Sequence, residues 1–327
     1  MNRNPQTGAL EPFDFAHLLS RVPELAHFSI EISTYQFEPP IDSSDMSPDF
    51  WKELTLLIAN RYNQYDGFVI LHGTDTMSYT ASALSFMLQN LAKPVILTGS
   101  QLPIGQLRTD GKENLITSIE MASARHQDGT PVVPEVCIYF NGHLMRGNRT
   151  TKQSADEFNA FESFNYPHLA DAGVNICYHE EFIHTPDPVK QLTPLTELDN
   201  SIIILSLFPG IREDLFRHMI DIPNLRAIVM RTFGSGNAPQ SPWLLNALKE
   251  ATRRGKVIVN ISQCLQGRVE MGRYDTGFQL QEVGVVSGYD GTVESAVTKL
   301  MYLIGRYDNP EQVRRLMKQS ICGEITV

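Results

Sequence analysis

No stretch of about 18 consecutive apolar residues occurs, so no membrane-spanning helix is expected. Nor does the chain open on a positively charged segment followed by an apolar run. MNRNPQTGALEPF is polar and unlike a secretory signal, which makes the cytoplasm the expected compartment. Cysteine is scarce: Cys137, Cys177, Cys264 and Cys322 lie far apart without a Cys-x-x-Cys pair, in a chain too long to need disulfide staples. Reduced, mostly structural thiols follow. Positive charge is also short, with 27 Lys and Arg against 37 Asp and Glu, a net charge of -10 and a pI near 5.4. Such a field repels phosphates and argues against nucleic acid as a partner.

Several chemical signatures are missing as well. The nine histidines show no His-x-x-x-His or His-Glu-x-x-His spacing, and the acidic residues do not fall in metal-ligand order, so no metal site is expected. There is no Gly-x-Ser-x-Gly elbow. Gly234-Ser235-Gly236-Asn237 resembles a phosphate loop only superficially, because no Gly-Lys-Ser/Thr follows it. Internal repeats and low-complexity tracts are absent.

What is present is ordinary globular composition: 327 residues, 42% hydrophobic and 20% charged. At roughly 100 to 200 residues per domain, that length suggests two domains. From residue 65 short β-branched runs alternate with helical stretches, DGFVILHG, TDTMSYTASALSFMLQNLAK, PVILTGSQ and TDGKENLITSIEMASARHQ, which points to parallel βαβ units. Phe68 to Leu71 and Val95 to Leu97 are apolar on both faces, as central parallel strands are. Ala83, Leu84, Met87, Leu88 and Leu91 predict a helix with one buried stripe.

A third strand, EVCIYFNG, runs into HLMRGNRTTK. The segment from His184 to Asn200 holds three prolines and no sustained periodicity, which suggests a linker between a domain over 1–183 and a second α/β domain over 201–327. The second domain repeats the strand-helix theme in SIIILSLFPG, LRAIVMRTFGSGN, SPWLLNALKEATRRG and KVIVNISQC, before two closing helices. Residues 1 to 14 offer turn residues and no β-rich run where a domain of this kind normally opens with a buried strand.

The richest constellation is His72-Gly73-Thr74-Asp75-Thr76-Met77, where a buried strand gives way to a helix. Sheets of this type present ligand-binding groups at that position. The plainer alternative is that Thr74, Asp75 or Thr76 caps the helix. Thr98-Gly99-Ser100-Gln101 and Arg108-Thr109-Asp110-Gly111 read as turn chemistry, with Asp110 a possible cap. Lys152 ends Arg146-Gly147-Asn148-Arg149-Thr150-Thr151-Lys152. A lysine so placed is usually solvated. Partly withdrawn from water beside Thr74, it could act as the base that an unreactive hydroxyl requires, with Asp75 balancing charge.

Taken in order and spacing, ILHGTDTM, VILTGSQLP, RTDGKENL, RGNRTTK and GSGNAP resemble the type I, cytoplasmic bacterial L-asparaginases, from about Ile41 to the end of the chain. The resemblance implies an α/β, two-domain asparaginase-like fold with a larger N-terminal parallel-sheet domain and a smaller flavodoxin-like C-terminal domain. It implies hydrolysis of L-asparagine to L-aspartate and ammonia through a threonine acyl-enzyme, without metal or cofactor, in a homodimer or homotetramer. Carried over residue by residue, it makes Thr74 the second catalytic threonine, Asp75 its carboxylate and the receiver of the substrate's α-amino group, and Lys152 the base. Ser43 would hold the α-carboxylate, and Asn237 would reach a neighbouring subunit's site.

The family opens on a strand ending in Thr-Gly-Gly-Thr-Ile-Gly-Met, whose second threonine is the primary nucleophile. The first residue here, Met1, matches that methionine, so neither strand nor nucleophile is expected in these residues. A tyrosine on the family's next, mobile loop would fall near Gly8 and Ala9, where GALEP has none. A start that omits upstream residues competes with a shortened paralogue that binds substrate without turnover. Loss of a central strand leaves ladder hydrogen bonds unmade and apolar helix surface open, so these residues alone are expected to fold poorly or turn over slowly. Two other functions compete: a non-catalytic amino-acid-binding protein, and an amidase component of a glutamyl-tRNA amidotransferase.

Overall fold

The computed structural model describes residues 2–3, 10–11, 22–104, 106–272 and 275–327. They divide into two compact units, Met1–Leu84 with Leu88–Ser163 and Pro167–Pro194, and Ser85–Met87 with Phe164–Tyr166 and Leu195–Val327.

In the first unit, β1 (Asn2–Arg3) pairs antiparallel with β2 (Leu10–Glu11). The expected lack of an opening strand concerns residues 1 to 14, of which these four are described; Gly8 and Ala9, where the tyrosine loop was expected, lie outside the described residues. Helix α1 (Pro48–Arg61) starts with proline at its first position and Ser47 Oγ accepting from the Phe50 N–H, the usual chemistry of a helix start. Then follow β3 (Phe68–Leu71), α2 (Met77–Met87), β4 (Leu88–Gln89), β5 (Val95–Thr98), α3 (Gly111–Ser123), β6 (Val136–Phe140), β7 (His143–Arg146), β8 (Thr151–Lys152), β9 (Phe161–Glu162), β10 (Ala170–Ala172), β11 (Ile176–Tyr178) and β12 (Thr193–Pro194).

The main sheet has the order β11-β10-β7-β6-β5-β3. Its β3, β5 and β6 run parallel, as the βαβ pattern predicts. The other half is an antiparallel meander. It begins at Asn141-Gly142, where φ values of 48° and 88° make the two-residue hairpin turn that this dipeptide favours. That reversal is legible in the sequence at the end of EVCIYFNG.

Strand β3 departs from its predicted central place. Among the described residues it is an edge strand, half-buried over Phe68–Ile70 and 42% exposed at Leu71, whereas Val95–Thr98 is buried throughout. An apolar run reports burial on its faces, not whether a ladder continues on both of its edges. Phe68 and Ile70 pack with Leu54, Ile58, Met77, Leu84, Leu97 and Ile138 on one face, while Val69 joins Leu25, Leu115 and Ile119 on the other. This is the two-residue alternation of a strand set between helices. Helix α2 also differs from expectation: nearly every residue is buried, rather than one stripe, and the helix ends at Met87, with Leu88–Gln89 pairing antiparallel to Thr193–Pro194. No charged residue occurs from Thr76 to Ala92, which lets the helix be apolar all round.

The second unit is a four-stranded parallel sheet in sequential order, β13 (Ile202–Ser206), β14 (Ala227–Thr232), β15 (Val257–Ser262) and β16 (Val286–Ser287). Helices α4 (Glu213–Ile220), α5 (Pro242–Arg253), α6 (Asp275–Glu282), α7 (Val293–Arg306) and α8 (Pro310–Met317) alternate with or follow these strands. Its core joins Phe216 and Ile220 of α4 and Leu244, Ala247 and Leu248 of α5 to Ile228, Met230 and Ile258 of the sheet. Among the described residues no helix is long and apolar enough to cross a membrane.

Candidate active site

The loop from His72 to Thr76 joins β3 to α2 and is fixed from below and from the side. The His72 N–H donates to the Thr98 carbonyl at 2.8 Å, carrying the β3–β5 ladder one residue into the loop. Its side chain is buried, and hydrogen bonds settle its tautomer. Nδ1 lies 2.6 Å from the Gly73 carbonyl, which can only accept, so Nδ1 carries the proton. Nε2, 2.9 Å away, then accepts from Thr80 Oγ1, which itself accepts from Trp51 Nε1–H at 2.9 Å. Burial lowers the pKa of His72, and the Gly73 bond opposes that only in part. The ring is a neutral strut under the loop.

Ser43 is held against the same loop. It begins a short 3-10 turn, Ser43–Asp45, started by Asp42, whose side chain accepts from the Ser44 N–H. Its carbonyl accepts from Thr76 Oγ1 at 2.6 Å, and a Cβ on Gly73 would lie 2.4 Å from Ser43 Oγ. Thr76 therefore ties two segments together rather than capping α2, for which neither it nor any other side chain supplies a cap bond. Its hydroxyl is a positioning group that pattern reading assigns to a cap, since both uses put the same residue type at a strand-to-helix turn.

Lys152 arrives from another direction, on β8, after the buried 3-10 turn Gly147–Arg149. Its Nζ donates to Thr74 Oγ1 at 2.9 Å and to Asp75 Oδ1 at 2.7 Å. The lysine side chain is 21% exposed and the aspartate 64%, so the amine is sheltered while the carboxylate faces open solvent. Water screens such a pair, whose effect is more positional than stabilising. The contact spans 78 residues of sequence.

Asp110 also departs from the cap reading. Its carboxylate accepts from the Gln101 and Leu102 N–H groups and from Asn114 Nδ2, and so pins the turn after β5; α3 receives no cap bond from it. Asn237 belongs to the second unit, where its Oδ1 accepts from Thr276 Oγ1 at 2.8 Å. The turn before it is set by Gly236, at φ 105°, a conformation that glycine adopts freely. Asn260 Nδ2 and Ser262 Oγ donate to the carbonyls of Gly236 and Gly234. A Cβ on Gly236 would also come within 2.7 Å of Val269 Cγ1.

Ser43, Thr74, Asp75 and Lys152 converge on one loop of one unit, and known proteins match nearly the whole chain. The asparaginase N-terminal family model matches residues 1–184, and the glutaminase/asparaginase C-terminal domain model matches residues 201–317. Identity to L-asparaginase 1 of Escherichia coli K12 is 44% over 312 residues, spanning 93% of this chain and 86% of that protein. The chain belongs to the bacterial type I L-asparaginase family. The crystal structure of L-asparaginase I from Vibrio cholerae matches with a TM-score of 0.87 at 42% identity, over 96% of this chain and 92% of that one. A component of the glutamyl-tRNA(Gln) amidotransferase of Pyrococcus abyssi is further off, 33% identical over 334 residues, 98% of this chain and 73% of that protein. As an asparaginase-family member, the chain has the two-domain α/β fold that its motifs imply, and it is an amidohydrolase by descent.

Proposed function

We propose that this chain is a cytoplasmic L-asparagine amidohydrolase giving L-aspartate and ammonia through a threonine acyl-enzyme, with no metal or cofactor in the reaction. The observation that carries this reading is the double contact of Lys152 Nζ with Thr74 Oγ1 and Asp75 Oδ1. An amide needs a nucleophile with an adjacent base and fixed partners for the charged ends of the substrate. Lys152 takes the Thr74 proton; Thr74 in turn takes one from the water that hydrolyses the acyl ester. Asp75 balances the lysine's charge, and its exposed side receives the substrate's α-ammonium. Ser43, held at the loop by Thr76, faces the α-carboxylate. Asn237 acts across a junction between the protomers of a homodimer or homotetramer, and the segment 184–200 serves as the connector between domains 1–183 and 201–327.

First attack belongs, in this reading, to the second threonine of Thr-Gly-Gly-Thr-Ile-Gly, a motif that does not occur in these 327 residues. The test is ammonia release from L-asparagine by the chain alone and by the chain preceded by a strand ending in that motif. Release is expected from the extended chain and should fall by about 10²–10⁴ in Lys152→Met, the usual contribution of a general base. An unaffected mutant would refute the assignment. An extended chain that stays inactive while calorimetry shows aspartate bound would instead favour an amino-acid-binding protein without turnover. The amidotransferase reading is weaker, since that relative is 33% identical against 44% for the asparaginase.

A further inference from the structure

At the antiparallel end of the first unit's sheet, Asp171 on β10 stands directly across from His143 on β7 and from Cys177 on β11. Directly opposed residues of an antiparallel pair share one face. The side chains meet there: His143 Nδ1 lies 2.7 Å from Asp171 Oδ1, His168 Nδ1 lies 3.2 Å from the same oxygen, and His179 Nε2 lies 2.9 Å from Oδ2. The ligand atoms of His143, His168 and Asp171 all fall within 4.8 Å of one another. These side chains are between 23% and 45% exposed, sheltered yet open to an ion from solvent.

His168 bridges two carboxylates. Its Nδ1 faces Asp171 while its Nε2 lies 2.9 Å from Glu162 Oε1. With an ion on Nδ1, His168 gives that lone pair to the metal and its Nε2 proton to Glu162. This is the carboxylate–histidine–metal relay that orients ligating histidines.

We propose that His143, His168 and Asp171 bind a divalent transition ion of the zinc class, and that Glu162 orients His168. Imidazoles with one carboxylate suit such ions, and ligands at about 2.0–2.2 Å from a tetrahedral centre stand roughly 3.3 Å apart. The separations of 2.7–3.2 Å between these nitrogens and the Asp171 oxygens need only a small opening to reach that spacing.

The test is zinc titration of the EDTA-treated full chain by calorimetry, repeated with cobalt(II) as a spectroscopic probe of four-coordination. One ion per chain, saturating at micromolar metal, is expected. His168→Ala and Asp171→Asn should each weaken binding at least tenfold with the circular dichroism spectrum preserved, and Glu162→Gln should weaken it by about 10- to 100-fold as an outer partner. Absence of saturable binding to the unmodified chain would overturn the proposal. So would binding that survives His168→Ala and disappears in Cys177→Ser or Cys264→Ser, because the ion would then sit on surface thiols.

Discussion

Gly73→Ala puts the packing of the candidate site to a direct test. A Cβ at this position would lie 2.4 Å from Ser43 Oγ and 2.8 Å from Ser43 Cβ, well inside van der Waals contact. Ser43 cannot simply retreat, because it is buried and its carbonyl is held by Thr76 Oγ1 at 2.6 Å and by the Met46 N–H at 3.3 Å. Overpacking of this kind costs about 1–3 kcal/mol, and contact with a side chain anchored in this way belongs in the upper half of that range. The alanine also restricts the unfolded chain, which returns roughly 0.4–1 kcal/mol. A net loss of about 1–2.5 kcal/mol is therefore expected. Displaced Ser43 should also weaken L-aspartate binding, since a hydrogen bond to a charged group contributes about 1.5–3 kcal/mol, or roughly 10- to 150-fold in affinity. Denaturant melts and aspartate calorimetry on Gly73→Ala, Ser43→Gly and the double variant measure both effects. Removing the Ser43 side chain removes the clashing atoms, so the double variant should be more stable than the sum of the single costs by at least ~0.5 kcal/mol. An alanine variant as stable as the parent, or costs that add, would refute the close approach.

The pH dependence of stability should carry a His72 component. Its folded-state pKa lies below the ordinary 6.5 because burial disfavours the imidazolium. The unfolded chain therefore binds the extra proton first, and the stability from neutral His72 is complete above 6.5 and declines as pH falls beneath it. Denaturation midpoints between pH 8 and 5 should fall less steeply in His72→Gln; an unchanged slope would contradict this. In the second unit, Lys299 Nζ meets Glu324 Oε1 at 2.5 Å with both side chains almost wholly buried. Lys299→Met should cost about 3–5 kcal/mol by stranding the carboxylate, and adding Glu324→Gln should recover part of it, as read by thermal melting. Asp110→Ala leaves the Gln101 and Leu102 N–H groups without their acceptor. A loss of about 1–3 kcal/mol in denaturant unfolding is expected, the cost of leaving such donors unpaired.

Much of this was legible locally. Alternating runs gave the parallel strands β3, β5 and β6, and the ordered motifs gave the family and with it the two-domain fold. Elements with weak local signals were harder. EDLFRHMI forms α4 and Val286–Ser287 forms β16, although neither stands out as a long periodic segment. Asp110 and Thr76 illustrate a different limit: a polar residue at a turn can satisfy its own helix or another segment, and the choice depends on what packs beside it.

By itself, the sequence determined the parallel strands β3, β5 and β6 and which residue types stand at the strand ends, because periodicity, turn dipeptides and helix starts act over a few neighbouring residues. Only the tertiary structure decided what meets across distance. Lys152 reaches Thr74 and Asp75 across 78 and 77 positions, and β3 proves to be an edge strand among the described residues. His143, His168, Asp171 and His179 come together without any ligand spacing in the chain. Hydrogen bonds of about 3 Å are set by the arrangement of whole layers, and no local pattern encodes that arrangement.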